Sequence, residues 1–231
     1  MTDSVSSATR RPPVIGWKTF GHPGATRLLS KSSEMGRVAH AYLITGPDKV
    51  GKRTLALDIA CMVNTEPVSD MFGEAPNIDL SSSQQAGRIR KGIHSDVRVI
   101  DIDTELEKDS RKASGGDDGD QDRRRRKLIS IDHVHDLIQA AATMPFEGLK
   151  KVFIIDDAQK LSNEAANALL KTLEEPSELV MIILVAMTAD SLPETIVSRC
   201  QRIDLRPVDT GVIEAELIER FEVEESQAGS L

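Results

Sequence analysis

The feature that most constrains this chain is an abrupt change of apolar spacing around residue 46. Ala41-Tyr42-Leu43-Ile44 is an uninterrupted apolar run that stops at Gly46, and from Gly51 apolar residues recur at helical spacing through Leu55, Ala56, Ile59, Ala60 and Val63. Strand, glycine loop and helix in that order bring backbone N–H groups and a helix N-terminus to the carboxyl end of a strand. The alternation continues downstream. Helices are expected over 24–37, 84–90, 132–143, 163–173, 193–197 and 212–221, and strands over 97–102, 152–155, 179–185 and 202–205. Continuous apolar strands need cover on both faces, so the fold class is α/β, a largely parallel sheet with helices on both sides.

The loop at the change of spacing reads Gly46-Pro47-Asp48-Lys49-Val50-Gly51-Lys52-Arg53-Thr54, a phosphate-loop pattern in the strand-to-helix context that such a loop needs. Its glycines let the backbone come close to an anion, and Lys52 would reach the terminal phosphates of a nucleotide. Gly46, Val50, Gly51, Lys52, Arg53 and Thr54 are therefore the nucleotide-contacting candidates, with ATP or ADP as ligand. A plain glycine turn carrying an incidental lysine is the competing reading. One position breaks the pattern: the residue after the lysine should offer a hydroxyl to Mg²⁺, and here it is Arg53. Thr54 comes about 100° further round a helix of 3.6 residues per turn, which leaves magnesium without its usual ligand.

A second site element closes the apolar run 152–155 with Asp156 and Asp157. Asp156 would order the water shell of a metal. Asp157 stands where active proteins of this class usually carry a glutamate that polarises the attacking water. Its carboxylate is held back by about one Ångström, and positioning dominates phosphoryl transfer. Two acids closing a strand end is the plainer alternative.

Four further stretches carry a resemblance. They are His40-Ala41-Tyr42-Leu43, Pro145-Phe146-Glu147-Gly148, Ala166-Asn167-Ala168-Leu169-Leu170-Lys171-Thr172-Leu173-Glu174-Glu175-Pro176 and Ser198-Arg199-Cys200. With Lys151-Val152-Phe153-Ile154-Ile155-Asp156 they resemble bacterial DNA polymerase III clamp loader subunits, which are AAA+ proteins, over roughly residues 14–207. The resemblance implies a RecA-like P-loop core followed by a small helical lid. It also implies a place beside gamma/tau and delta subunits in a hetero-oligomeric ring that acts on a sliding clamp and primed DNA in the cytoplasm. Arg199 would reach in trans into the ATP site of the adjacent subunit, where a guanidinium stabilises charge on the γ-phosphoryl oxygens. Thr188 falls near the place of a polar sensor for the γ-phosphate; a turn residue at a strand end is the plainer reading of it.

Within the family, Arg53 and Asp157 resemble the delta prime type, whose own ATPase is weak or absent. An active gamma/tau-type ATPase is the alternative, and a small-molecule P-loop kinase a more distant one that leaves Ser198-Arg199-Cys200 unexplained. Relatives of this kind commonly carry four cysteines after the phosphate-loop helix; residues 64–91 contain none, so zinc is not expected. The expected layout is a loose tail over 1–13, the core over 14–207 with a disordered, charge-rich insert over 103–127, and the start of a helical lid over 208–231, where the chain stops.

Composition narrows the field further. A chain of 231 residues holds one such domain with a short extension. No apolar run approaches the ~20 residues that cross a bilayer, and the two cysteines are too few for a disulfide framework or a four-cysteine metal site. A net charge of −8 argues against a surface that wraps DNA unaided, so contact with DNA should run through partners. Arg123 to Arg126 with Lys127 are balanced by acids just before them and read as a solvated loop. His133 and His135, two apart on a helix, do not share a face for a metal. His40 is expected to pack or hydrogen-bond beside the loop, and Cys61 to be a buried small hydrophobe.

Overall fold

A computed structural model describes residues 15–66, 78–80, 82–101 and 128–221. The tail and the insert expected over 1–13 and 103–127 lie outside them. Five strands form one parallel sheet: β1 (Ala41–Thr45), β2 (Val97–Ile100), β3 (Lys151–Ile155), β4 (Val180–Ala186) and β5 (Gln201–Asp204), in the order β2-β3-β4-β1-β5. The first strand in sequence thus sits between the two last ones, with Ala41 opposite Ile182 on one side and Tyr42 opposite Gln201 on the other.

Because side chains alternate along a strand, each central strand feeds two cores. Tyr42, Ile44, Val152, Ile154, Met181, Ile183 and Val185 pack with α2 (Lys52–Asn64) and α3 (Gln84–Arg90). Ala41, Leu43, Phe153, Ile155, Ile182 and Leu184 pack on the other face with α4 (Ile131–Ala141) and α5 (Asn163–Glu174). This is the doubly covered sheet that the continuous apolar runs require.

Local chemistry sets the helix limits. Ser162 caps α5 by accepting the Ala165 N–H at 3.1 Å, and Pro176 follows its end. Ser130 and His133 form a capping box at the start of α4, which accounts for His133 in structural terms. The other α-helices among the described residues are α1 (Pro23–Glu34), the short α6 (Glu194–Val197) and α7 (Thr210–Phe221). Every expected element is present among the described residues, with ends shifted by up to three residues. The strand expected to reach 102 stops at Ile100, because its one partner, β3, ends at Ile155 opposite that residue. Cys61 is fully buried, and burial pushes its thiol up to about 11. No helix among the described residues is long and apolar enough to cross a membrane.

Candidate nucleotide-binding site

The loop between β1 and α2 lies at the carboxyl edge of the sheet, where open parallel sheets take their ligands. Its backbone is fixed from three sides. The Gly46 N–H donates to Met187 O at 3.1 Å just past β4, and Gly46 adopts φ 151° with Leu205 O so near that a Cβ would lie 2.6 Å from it. Lys49 and Gly51 also adopt positive φ, 60° and 97°. His22 Nε2 lies 2.8 Å from Val50 O, so a ring from before α1 steadies the loop's outer turn. Gly51 ends the loop in the left-handed region and offers no side-chain cap, so the first N–H groups of α2 face the loop without one.

A cavity of about 470 Å³ opens beside this loop, within the range of small-molecule pockets. Pro47, Asp48, Lys49, Val50, Gly51 and Thr54 form one wall; Lys18, Thr19 and Phe20 with Pro207, Val208 and Ile213 close the others. Asp58 holds the first of those outer segments in place. Its buried carboxylate accepts the Thr19 N–H at 2.7 Å, the Thr19 hydroxyl at 2.8 Å and Arg90 Nη2 at 2.8 Å, tying the chain before α1 to α2 and α3. Sequence reasoning did not find these outer walls, because they come from segments nearly two hundred residues apart whose local pattern is unremarkable. An aspartate within the apolar stripe of α2 was the available signal: a buried carboxylate must have donors, and Thr19 and Arg90 supply them.

Lys52 lies over the loop, with Nζ donating to Gly46 O at 2.8 Å and to Pro47 O at 2.6 Å. Arg53 reaches the ends of two strands. Its Nη1 lies 3.2 Å from Asp156 Oδ2 at the end of β3 and 3.2 Å from Asp101 Oδ2 just past β2. Burial raises the pKa of Asp156; Arg53 opposes that effect, and Asp157 and Asp101 add to it. Asp157 adopts φ 53°, and its carboxylate accepts from Gln159 Nε2 at 3.0 Å and Lys160 Nζ at 2.8 Å. Thr188 is exposed one residue past Met187, and its carbonyl, not its hydroxyl, engages Ser191. Gly46, Val50, Gly51, Lys52 and Thr54 are thus together, Arg53 joins Asp156, and the Asp157 N–H donates to Asp156 Oδ1 at 3.1 Å while its carboxylate is engaged elsewhere; Thr188 follows β4, and among the described residues its side chain hydrogen-bonds to neither group.

The position of the hydroxyl ligand to magnesium belongs to Arg53, the Asp156 carboxylate is engaged by it, and Thr54 lines the cavity instead. Among the described residues no three His, Cys, Asp or Glu side chains converge as a metal site.

Arg199 stands apart from all of this, just beyond α6. Its Nη1 donates to Thr195 O at 2.7 Å, its Nη2 pairs with Glu174 Oε1 at 2.6 Å, and its side chain is 34% exposed. Glu174 ends α5, so two of the stretches singled out in the sequence meet at this ion pair.

The family described as DNA polymerase III, delta subunit, matches residues 21–209. The chain belongs to this family of clamp loader proteins. It is 29% identical over 209 residues to DNA polymerase III subunit delta' of Bacillus subtilis, covering 90% of this chain and 55% of that protein. It is 31% identical over 215 residues to subunit tau of the same organism, covering 91% of this chain and 33% of tau. The chain therefore spans about half the length of the first relative and a third of the second. In fold it is similar to a DNA polymerase III gamma subunit-related protein of Thermotoga maritima, with TM-score 0.52, 22% identity and coverage of 90% of this chain and 55% of that one. The fold is that of a P-loop AAA+ core, as the sequence stretches implied.

Proposed function

We propose that this clamp loader family member acts as a delta prime-type subunit. In that reading it joins gamma/tau and delta subunits in a ring that loads a sliding clamp onto primed DNA in the cytoplasm at the expense of ATP. It lends Arg199 to the ATP site of the adjacent subunit and does not itself turn over ATP. One observation carries the reading: the Arg199 guanidinium lies at the surface, held by Glu174 and the Thr195 carbonyl in a fixed direction and still a third exposed. An arginine that must meet a neighbour's phosphates needs both properties, since a fixed fork loses less freedom on contact. The chain's own site points the same way, with Arg53 where a metal ligand belongs and the Asp157 carboxylate turned to Lys160.

The test is a loader reconstituted from the full-length protein with gamma/tau and delta subunits. Arg199→Ala is expected to lower DNA-stimulated ATP turnover of the complex by about a hundredfold or more, in line with the effect of arginine donors on phosphoryl transfer, and to leave assembly by gel filtration unchanged. Unaltered turnover would overturn the assignment.

A gamma/tau-type ATPase is the second reading, favoured by the 31% identity to tau and by the intact Gly46, Gly51 and Lys52. Magnesium-dependent ATP turnover by the isolated chain, abolished in Lys52→Ala, would establish it in place of the first.

A further inference from the structure

Arg53 is a costly residue where it stands. It is the second residue of α2, where the helix presents its positive end and a cation is disfavoured. The cost is offset by direction. The guanidinium reaches out of the helix to bridge two carboxylates from two strand ends, Asp101 after β2 and Asp156 after β3, each at 3.2 Å from Nη1. In a working phosphate loop the cation beside the Asp156 position is magnesium, introduced with the nucleotide. Here that position already has a cation, covalently attached to the helix that follows the loop.

We propose that the Arg53 guanidinium is the resident counter-cation of this site, so that the loop takes the metal-free nucleoside di- or triphosphate rather than its magnesium complex. The inference rests on the reading that this loop and the 470 Å³ cavity hold a nucleotide. Two physical points support it. Magnesium needs about six oxygen ligands at roughly 2.0–2.1 Å, and seating it on Asp156 would bring it against a guanidinium that already engages the same carboxylate. A guanidinium has five N–H donors, and both carboxylate contacts use Nη1. Nη2 and Nε are left to donate towards phosphate oxygens held by Lys52, which would exchange the Gly46 and Pro47 carbonyls for them. The arrangement neutralises phosphate charge without supplying the metal that in-line hydrolysis uses. Nucleotide would then act as a bound structural element.

Calorimetric titration of the purified chain with ATP and with ADP, in magnesium buffer and in EDTA, tests this. The wild-type chain is expected to bind equally well or better without magnesium. Arg53→Thr, which restores a hydroxyl and frees both carboxylates, is expected to bind about tenfold or more tightly with magnesium than without it; Arg53→Lys keeps a cation and should remain indifferent. Wild-type binding that tightens tenfold with magnesium would overturn the proposal, as would an Arg53→Thr variant that folds yet ignores the metal. If that variant does not fold, the wild-type comparison decides alone. Failure to bind nucleotide under either condition would overturn both this proposal and the nucleotide reading of the loop, and would leave the Arg199 experiment untouched.

Discussion

Gly46 shows how a single position can serve chain direction and ligand geometry at once. With φ 151° and Leu205 O in the place of a side chain, Gly46→Ala forces either the loop or the segment after β5 to move. A loss of about 1–3 kcal/mol in urea unfolding is expected, with the loop's ligand binding lost alongside it. The need for glycine here was legible from the sequence, because strand, glycine and helix pattern adjoin one another. The departure at Arg53 was legible too, as a missing hydroxyl. What the sequence did not disclose is where the guanidinium goes. Asp101 and Asp156 are 48 and 103 residues from it, and no local spacing links them. Arg199 was visible through its motif, whereas its pairing with Glu174 depends on α5 and α6 being packed together.

Among the elements, the turn leading into β3 is the least obvious from pattern and the most tightly built. Asp96, just before β2, accepts the backbone N–H groups of Phe146, Glu147 and Gly148 at 2.7–2.9 Å. Gly148 cannot be replaced freely, because a Cβ would lie 2.5 Å from Asn64 Oδ1. The stretch Pro145-Phe146-Glu147-Gly148, met in the sequence only as a family likeness, therefore has a physical reason: three successive amides must converge on one carboxylate, and Phe146 is left 86% exposed by the bend. Burial alone would raise the pKa of Asp96, but the donated N–H groups outweigh it and hold the carboxyl below its usual value. A depressed folded-state value means that the stabilisation is complete above the unfolded pKa, near 4, and is lost as pH falls through the folded one. Asp96→Asn is expected to cost about 2–4 kcal/mol at neutral pH and to flatten the acid limb of a stability curve measured by urea unfolding between pH 7 and 3. A variant curve parallel to that of the wild type would contradict this origin. The strands and helices themselves were readable because continuous apolar runs and 3.6-residue spacing are local properties; this turn is held from a distance.

For the molecule as a whole, the relevant quantities are charge and topology. With a formal charge of −8, the chain lacks the excess of cations that non-specific DNA binding draws on. Fluorescence anisotropy with primed DNA at roughly 0.15 M salt is expected to show no binding by the isolated chain, and binding only once other loader subunits are present. Tight binding alone would mean that the cations are segregated into a surface that net charge conceals.

The order of the sheet also sets a schedule for synthesis. β1 is made before both of its neighbours, β4 and β5, so Tyr42, Leu43 and Ile44 have no lateral partner in this sheet until Val180–Ala186 has left the ribosome, and only one until Gln201–Asp204 follows. Until then the strand that carries the phosphate loop keeps at least one apolar edge open to association with other nascent chains. The loop gains its shape only late, because the carbonyl that confines Gly46 belongs to Leu205.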